Sequence, residues 1–111
     1  MITLAIRYTI DPNKLAGFEE YVRALPEQIE RCGGRFVGYY MPTKLAGPTN
    51  AALGLIDFPD LSAYEQYRRA LAADPEAADN VRRVEAEGCI LNEDRAFLQR
   101  CPASQPAGKF A

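Results

Sequence analysis

The side chains of this sequence that could do chemistry are its arginines and tyrosines, because it contains no histidine. Histidine is the commonest general acid–base residue and metal ligand, and Ser-His and Cys-His nucleophile systems depend on it. The three cysteines, Cys32, Cys89 and Cys101, are scattered and include no C-x-x-C pair, so they make no zinc pattern. We therefore expect free thiols, no metal and no cofactor.

Arg7 is the first candidate ligand-binding residue, because it lies in the middle of a predicted strand, opposite an apolar stripe. If that face lines a cavity, Arg7 could clamp a carboxylate or an enolate through two parallel hydrogen bonds. The alternative is a structural salt bridge to Glu93 or Asp94 on the last strand, or to a partner chain.

Tyr39 and Tyr40 are adjacent, so we expect one ring in the core and the other in a cleft or against a partner. A tyrosine hydroxyl can donate a hydrogen bond to an oxyanion or protonate an enolate, although simple packing also explains these residues. Asn50, Asn92 and Asp94 are further candidates, since polar groups are disfavoured in strands. Placement at an edge or in a loop explains those three equally well.

The N-terminal third predicts a strand followed by a helix. Apolar residues alternate from Ile2 to Ile10, which is the period of a half-buried strand. Asp11-Pro12 then reads as an N-cap and a first helical proline. An apolar stripe follows at spacings of three and four, with Pro26 inside it, which predicts a kink or two helices meeting there. Gly33-Gly34 is expected to end the helical region.

The rest of the chain predicts three more strands and further helices. Arg35–Met41 and Ala51–Phe58 read as strands joined by a loop, and Cys89–Leu98 as the last strand. Asp60 and Asp74 each precede a helical pattern and are predicted as N-caps. Gly88 is expected to end the last helix, and Tyr64 and Tyr67 are expected to share a helix face that packs on the sheet.

This order, β-α-β-β-α-β, predicts an α+β ferredoxin-like domain with a four-stranded antiparallel sheet and helices on one face. Both faces of the sheet carry apolar residues. The second strand is expected to put Phe36 and Tyr40 on one face and Val37, Tyr39 and Met41 on the other. The third strand is expected to place Leu53 and Leu55 on one face of the sheet and Ala52, Ile56 and Phe58 on the other. A second copy is the simplest cover for the helix-free face, so we expect a homodimer.

Length and charge limit the remaining possibilities. The 111 residues fit one domain, predicted over residues 1–100, with a flexible tail over residues 101–111. The net charge of −2 comes from 13 basic and 15 acidic residues without a basic stripe, so we expect no nucleic-acid partner. No apolar stretch approaches the roughly 20 residues of a membrane span. No signal sequence is evident either, so we expect no membrane partner and a cytoplasmic location.

Two segments of the sequence resemble the NIPSNAP family. The first is CGGRFVGYYMPT from Cys32, which continues as GPTN from Gly47. The second is IDFPDLSAYEQYR from Ile56, followed by LAADPE from Leu71. The resemblance extends over about residues 1–100.

The resemblance implies a ferredoxin-like protomer whose sheet pairs with that of a second copy to make a dimeric α/β barrel. A cleft between sheet and helices often holds a small molecule in such proteins. The family's activity is poorly defined, and it supplies no agreed catalytic residues. Relatives in the wider superfamily include cofactor-free monooxygenases, isomerases, dehydratases and haem-handling enzymes, several of which need a histidine that this chain lacks.

Three functional hypotheses follow, of which the third is a purely structural assembly element that needs no pocket. The first is a homodimer of undefined activity that binds a small apolar or amphipathic molecule, or a protein partner. The second is a cofactor-independent isomerase, lyase or monooxygenase acting on a small aromatic or polyketide-like acid. It would bind the acid through Arg7 and use Tyr39 or Tyr40 as the hydrogen-bond donor.

Overall fold

A computed structural model describes residues 1–102 of the chain. Its elements follow in the order β1 (Ile2–Ile10), α1 (Leu15–Arg31), β2 (Arg35–Tyr40), β3 (Ala51–Phe58), α2 (Leu61–Ala73), α3 (Pro75–Glu87) and β4 (Ile90–Leu98). The sheet order is β2-β3-β1-β4, and each neighbouring pair is antiparallel. The predicted α+β ferredoxin-like architecture is confirmed. Most of the predicted tail lies outside the described residues.

The strand β1 organises the core. It pairs with β3 on one side and with β4 on the other, and its residues Leu4, Ile6, Tyr8 and Ile10 are all nearly inaccessible to solvent. The period of two seen in the sequence therefore marks the face that the helices cover. Burial of these side chains against the helices is the main contribution to stability.

The helix α1 differs from its prediction at two points. It begins at Leu15, because Asp11 instead forms a turn in which its Oδ1 accepts a hydrogen bond from the Asn13 backbone N–H at 2.9 Å. An Asp side chain can bond the backbone two residues on, and this turn competes with the predicted N-cap. Pro26 does not divide the segment, since one helix continues through it to Arg31. Of the two predicted alternatives at Pro26, a kink or two helices meeting there, the second was wrong.

The strand β2 contains an irregularity that reverses part of its predicted pattern. Phe36 lies opposite Ile56 while Gly38 lies opposite Leu55, so Val37 is an extra residue. A bulge of this kind shifts the alternation by one position. Phe36 and Tyr39 therefore share the helix-covered face, where their rings stack with centroids 6.1 Å apart. The prediction that placed Phe36 with Tyr40 and opposite Tyr39 was wrong.

The two C-terminal helices begin and end where the sequence predicts. The Asp60 carboxylate accepts from the Ala63 N–H at 2.8 Å, and the Asp74 carboxylate accepts from the Ala77 N–H at 2.9 Å. These bonds satisfy backbone donors that a helix N-terminus leaves free. Gly88 ends α3 in the left-handed conformation, with φ of 68°. Local sequence signals therefore determine where both helices begin and where α3 ends.

The helix-free face of the sheet is open in the single chain and carries apolar side chains. Leu53 and Leu55 point to it, opposite Ala52, Ile56 and Phe58, as predicted. Tyr40 is 53% exposed and Leu98 51% exposed.

No helix within residues 1–102 is long and apolar enough to span a membrane.

Candidate functional site

A cleft of about 320 Å³ lies between the helix-covered face of the sheet and the three helices. Side chains from every strand and every helix line it. Ligand pockets in proteins are mostly apolar concavities of about 300–1,000 Å³ with a few polar groups, so this one suits a small molecule. We call it the tyrosine cleft, because four of the six tyrosines of the chain line it: Tyr8, Tyr21, Tyr39 and Tyr67.

The inner wall of the tyrosine cleft is apolar. It consists of side chains that also form the hydrophobic core, from two strands and α1: Leu4, Ile6, Leu25, Ile29 and Ile56. The α3 side is formed by the small residues Ala77, Ala78 and Val81. Small side chains on one helix leave the space that larger ones would fill, and this is why a cavity remains beside a packed core.

Two tyrosine hydroxyls meet inside the cleft. The hydroxyls of Tyr8 and Tyr39 are 2.8 Å apart and share a hydrogen bond in which either can be the donor. Tyr8 is buried under the edge of the Phe18 ring, with centroids 5.0 Å apart. Tyr39 is held by its stacking on Phe36 and by Gly54, whose missing side chain leaves room for the Tyr39 ring. The packing therefore fixes where both hydroxyls point.

Burial keeps these tyrosines protonated. Desolvation, followed by the neighbouring Tyr39, raises the pKa of Tyr8 far above its usual value of 10.0. Desolvation likewise raises the pKa of Tyr39 and of Tyr67, and it raises the pKa of Tyr21 to about 12. A neutral tyrosine is a hydrogen-bond donor and a poor base. The cleft therefore presents donors to a ligand oxygen.

Arg95 brings a cation to the same place. It lies opposite Ile6 on the helix-covered face, and its Nε donates to the Glu93 carboxylate at 2.7 Å. Burial is the largest single effect and disfavours the Arg95 charge, but the hydrogen bond to Glu93, the Glu93 charge, Tyr8 and Tyr64 together outweigh it, so the pKa of Arg95 is raised. Arg68 lines the cleft from α2. Arg68, Ala72 and Arg95 are the exposed lining residues, so both cations lie at the mouth.

The buried amide of Gln28 also borders the cleft, but it belongs to a polar contact between α1 and α3. Its Oε1 accepts from Asn80 Nδ2, and its Nε2 donates to Glu76, each at 3.4 Å. Asn80 Nδ2 also donates to the Tyr21 carbonyl at 3.0 Å. Because its partners lie within the protein, Gln28 serves to hold the two helices together.

The structure separates the residues that the sequence singles out. Tyr39 lies in the tyrosine cleft, whereas Arg7, Tyr40 and Asp94 border an open groove on the helix-free face. Arg7 lies opposite Asp94 in the β1–β4 register, but no ion pair joins it to Asp94 or to Glu93. The pairing of Arg7 with Tyr39 in one ligand site therefore has no geometric basis, because the sheet lies between them, whereas the alternative pairing of Arg7 with Tyr40 stays a prediction.

Asn50 and Asn92 have local partners. The Asn50 Nδ2 donates to the Ile10 carbonyl at 3.0 Å and thereby ties the start of β3 to the end of β1. The Asn92 Nδ2 donates to the Asp94 carboxylate at 3.1 Å on the exposed strand β4. Neither asparagine lines the tyrosine cleft. Within residues 1–102, no group of three or more Asp, Glu or Cys is placed to hold a metal ion.

Sequence reasoning missed Tyr8 and Arg95, the two residues that define the chemistry of the cleft. Tyr8 is the one hydroxyl-bearing residue in the apolar alternation of β1, and this was the available signal. Arg95 and Phe97 are two residues apart on β4, so their side chains lie on the same face. Phe97 packs edge-on against Tyr64 of α2, with ring centroids 4.8 Å apart. The alternation thus indicated that Arg95 faces the helices, provided that Phe97 does.

The fold and the cleft define a ferredoxin-like domain with a small-molecule-sized cavity between sheet and helices. The family model described as NIPSNAP matches residues 4–105. The chain therefore belongs to the NIPSNAP family, as the sequence motifs indicated. No curated protein sequence matches the chain.

Solved structures agree with this assignment. An uncharacterised NIPSNAP-like domain protein from Burkholderia xenovorans is 25% identical, with 95% of this chain and 89% of that chain covered and a TM-score of 0.75. A NIPSNAP family protein with unknown function from Agrobacterium tumefaciens is 19% identical and has a TM-score of 0.79, with 94% of this chain and 91% of that chain covered. SnoaB, a cofactor-independent oxygenase from Streptomyces nogalater, shares the fold at 20% identity and a TM-score of 0.63, with 95% of this chain and 97% of that chain covered.

Proposed function

We propose that this NIPSNAP protein binds a small amphipathic molecule in the tyrosine cleft and acts as a homodimer. The observation that carries the binding proposal is the convergence of the Tyr8–Tyr39 hydroxyl pair and Arg95 on one apolar cavity. An apolar cavity with a few convergent polar groups and perturbed pKa values is the arrangement typical of ligand sites. The small volume favours a compact ligand over a peptide.

The binding proposal is tested by filling the cavity. Ala78 lines the cleft from α3, so Ala78→Phe places a ring where the ligand would lie. Ala86 is exposed on the same helix and does not line the cleft, so Ala86→Phe is the matched control. A thermal-shift screen of aromatic acids and acyl compounds should give hits for the wild type and for Ala86→Phe, and these hits should be lost in Ala78→Phe. A wild type with no hit, or equal binding by all three proteins, would contradict the proposal.

The dimer proposal concerns the helix-free face. This face combines the half-buried Leu53 and Leu55 with the exposed Tyr40 and Leu98. A single-layer sheet with apolar residues on its uncovered side is stabilised when a second surface excludes water from it. A second copy presents the same apolar surface, and two copies related by a two-fold axis cover both.

A cofactor-independent enzyme is the second candidate function, acting as an isomerase, lyase or monooxygenase on a small aromatic or polyketide-like acid. The observation that favours it is the neutral hydroxyl pair beside Arg95, since such donors stabilise an enolate oxygen. In this version Arg95 takes the role that the sequence suggested for Arg7. Hydrogen–deuterium exchange at the α-carbon of a bound keto acid, followed by NMR, is the test. Exchange no faster than in buffer alone argues for binding without catalysis, and faster exchange that is unchanged in Tyr8→Phe would show that the hydroxyl pair does not assist the reaction.

A further inference from the structure

We propose that the ligand of the tyrosine cleft carries a carboxylate, that Arg95 binds this carboxylate, and that Glu93 is the counter-ion the ligand displaces. The inference rests on the proposed function and specifies the class of ligand. It depends on the charges around the cleft, the free donors of Arg95, and the apolar inner wall.

The charges around the cleft favour an anion. The chain as a whole has more acidic than basic residues, yet among residues 1–102 the cleft is lined by two arginines, Arg68 and Arg95, and by no carboxylate. Glu93 neutralises one of these charges through Arg95, and Arg68 forms no ion pair within residues 1–102. The mouth of the cleft therefore has a surplus of one positive charge, which attracts an anionic ligand.

Arg95 has donors left for a ligand. Its bond to Glu93 uses Nε, and its two Nη groups bond no acceptor within residues 1–102. A guanidinium carries five N–H donors in a planar fork that matches a carboxylate in two parallel bonds. The Glu93 contact is single and half-exposed, so an incoming carboxylate with better geometry can replace it.

The tyrosine pair supplies a second contact for the same group. One hydroxyl donates to the other at 2.8 Å, and the accepting hydroxyl keeps its own proton for a ligand oxygen. Because both tyrosines stay neutral, they add donors without competing for the positive charge. The apolar inner wall, including Leu25 and Ile56, accommodates a hydrocarbon body. The ligand class is therefore a compact carboxylic acid with an aromatic or short aliphatic body.

The test compares probes that share a skeleton and differ in charge. Cinnamate and cinnamamide form one pair, and octanoate and octanamide form the other. Calorimetry should show each acid binding the wild type at least about tenfold more tightly than its amide, since hydrogen bonds to a charged group are stronger than those between neutral groups. Added salt should weaken the acids more than the amides.

Three variants assign the effect to residues. Arg95→Gln should lower acid affinity about tenfold and change amide affinity less than about threefold. Glu93→Gln should raise acid affinity about two- to fivefold, because it removes a competing carboxylate. If Glu93 only positioned Arg95, the same change would lower acid affinity. Arg69→Gln is the control, since Arg69 neighbours Arg68 on α2 but does not line the cleft. Each variant's melting temperature should stay close to that of the wild type.

The outcomes separate this inference from the proposed function. Acids and amides that bind equally, and that both fail to bind Ala78→Phe, would overturn the carboxylate assignment and leave the cleft as the binding site. Acid binding that survives Arg95→Gln, or that falls in Glu93→Gln, would also overturn the assignment. If neither acids nor amides bind the wild type, both proposals fail.

Discussion

At the scale of single residues, the hydroxyl bond between Tyr8 and Tyr39 is the feature on which the cleft chemistry depends. Both rings are held by aromatic neighbours, so the 2.8 Å bond forms without further ordering of either side chain. A donor and an acceptor that are buried together are stable as a pair, and either one is destabilising alone. The pair therefore acts as a unit in folding as well as in binding.

This coupling predicts a non-additive effect of hydroxyl removal. Tyr8→Phe and Tyr39→Phe should each lower the free energy of unfolding by about 1–2 kcal/mol, because each leaves one buried hydroxyl without its partner. The double variant should lose less than the sum, since no orphaned hydroxyl remains. Urea denaturation measures all three, with Tyr40→Phe as the control on the exposed face. Additive losses would show that the hydroxyls do not interact.

The buried phenols also predict alkaline sensitivity. Burial raises the pKa of Tyr21 from 10.0 to about 12 in the folded chain. Below pH 10 the residue is protonated in both states, so its contribution to stability is fully present there. Above that value the unfolded chain loses the proton first, and the contribution is lost as the pH rises through the folded pKa. The free energy of unfolding of the wild type should therefore fall between about pH 10 and pH 12. In Tyr21→Phe the fall over this range should be smaller by up to about 3 kcal/mol. Denaturation curves at a series of pH values measure this, and equal slopes for the two proteins would refute it.

The residues of the candidate site were only partly predictable because their neighbours come from distant parts of the chain. The sequence indicates Tyr39 as a candidate ligand-binding residue, but the orientation of its side chain depends on the bulge at Val37. The local sequence does not predict this bulge. Tyr8 looks like an ordinary member of an apolar stripe until Tyr39 supplies its partner. Arg95 lies on an edge strand with polar residues on both faces, so alternation alone did not decide which face the helices cover.

At the scale of elements, helix boundaries that depend on a few adjacent residues were predicted correctly, and those that depend on competing contacts were not. The Asp60 and Asp74 caps and the Gly88 terminus each need only a few adjacent residues, and each lies where predicted. The Asp11-Pro12 signal failed because a turn used the same carboxylate. Pro26 failed to divide α1 because the apolar stripe on both sides of it packs on one sheet, and this packing outweighs a single lost backbone bond.

The close contact between β2 and β3 predicts the effect of a side chain at Gly54. A Cβ atom there would clash with the Tyr39 ring, so the ring must move and the bond to Tyr8 is lost. Gly54→Ala should therefore cost about 1–3 kcal/mol, the usual range for overpacking, and should weaken ligand binding. In a Tyr39→Ala background the same change should cost much less, because the obstructing ring is gone. Equal costs in the two backgrounds would show that Tyr39 does not set the requirement for glycine.

At the scale of the whole molecule, the sheet divides the chain into two surfaces with different tasks. The helix-covered face holds the tyrosine cleft, and the helix-free face holds Arg7, Tyr40 and Asp94. The prediction that β3 places Leu53 and Leu55 opposite Ala52, Ile56 and Phe58 is confirmed, but the sequence did not predict which face holds the cleft. If the second copy covers the helix-free face, these three candidates become interface residues. Their polar contacts would then determine how the two copies are aligned.

The oligomeric state follows from the same division and gives the last prediction. Sedimentation at micromolar concentration should show a species of twice the 12.3 kDa chain mass. Leu55→Lys should shift it to a monomer, because the new charge would be buried without a partner in the interface. Glu65→Lys alters the exposed surface of α2 and is the control that should stay dimeric. Circular dichroism of Leu55→Lys distinguishes a folded monomer from an unfolded chain. A wild type that sediments at the mass of one chain would overturn the dimer, and so would a Leu55→Lys protein that still dimerises.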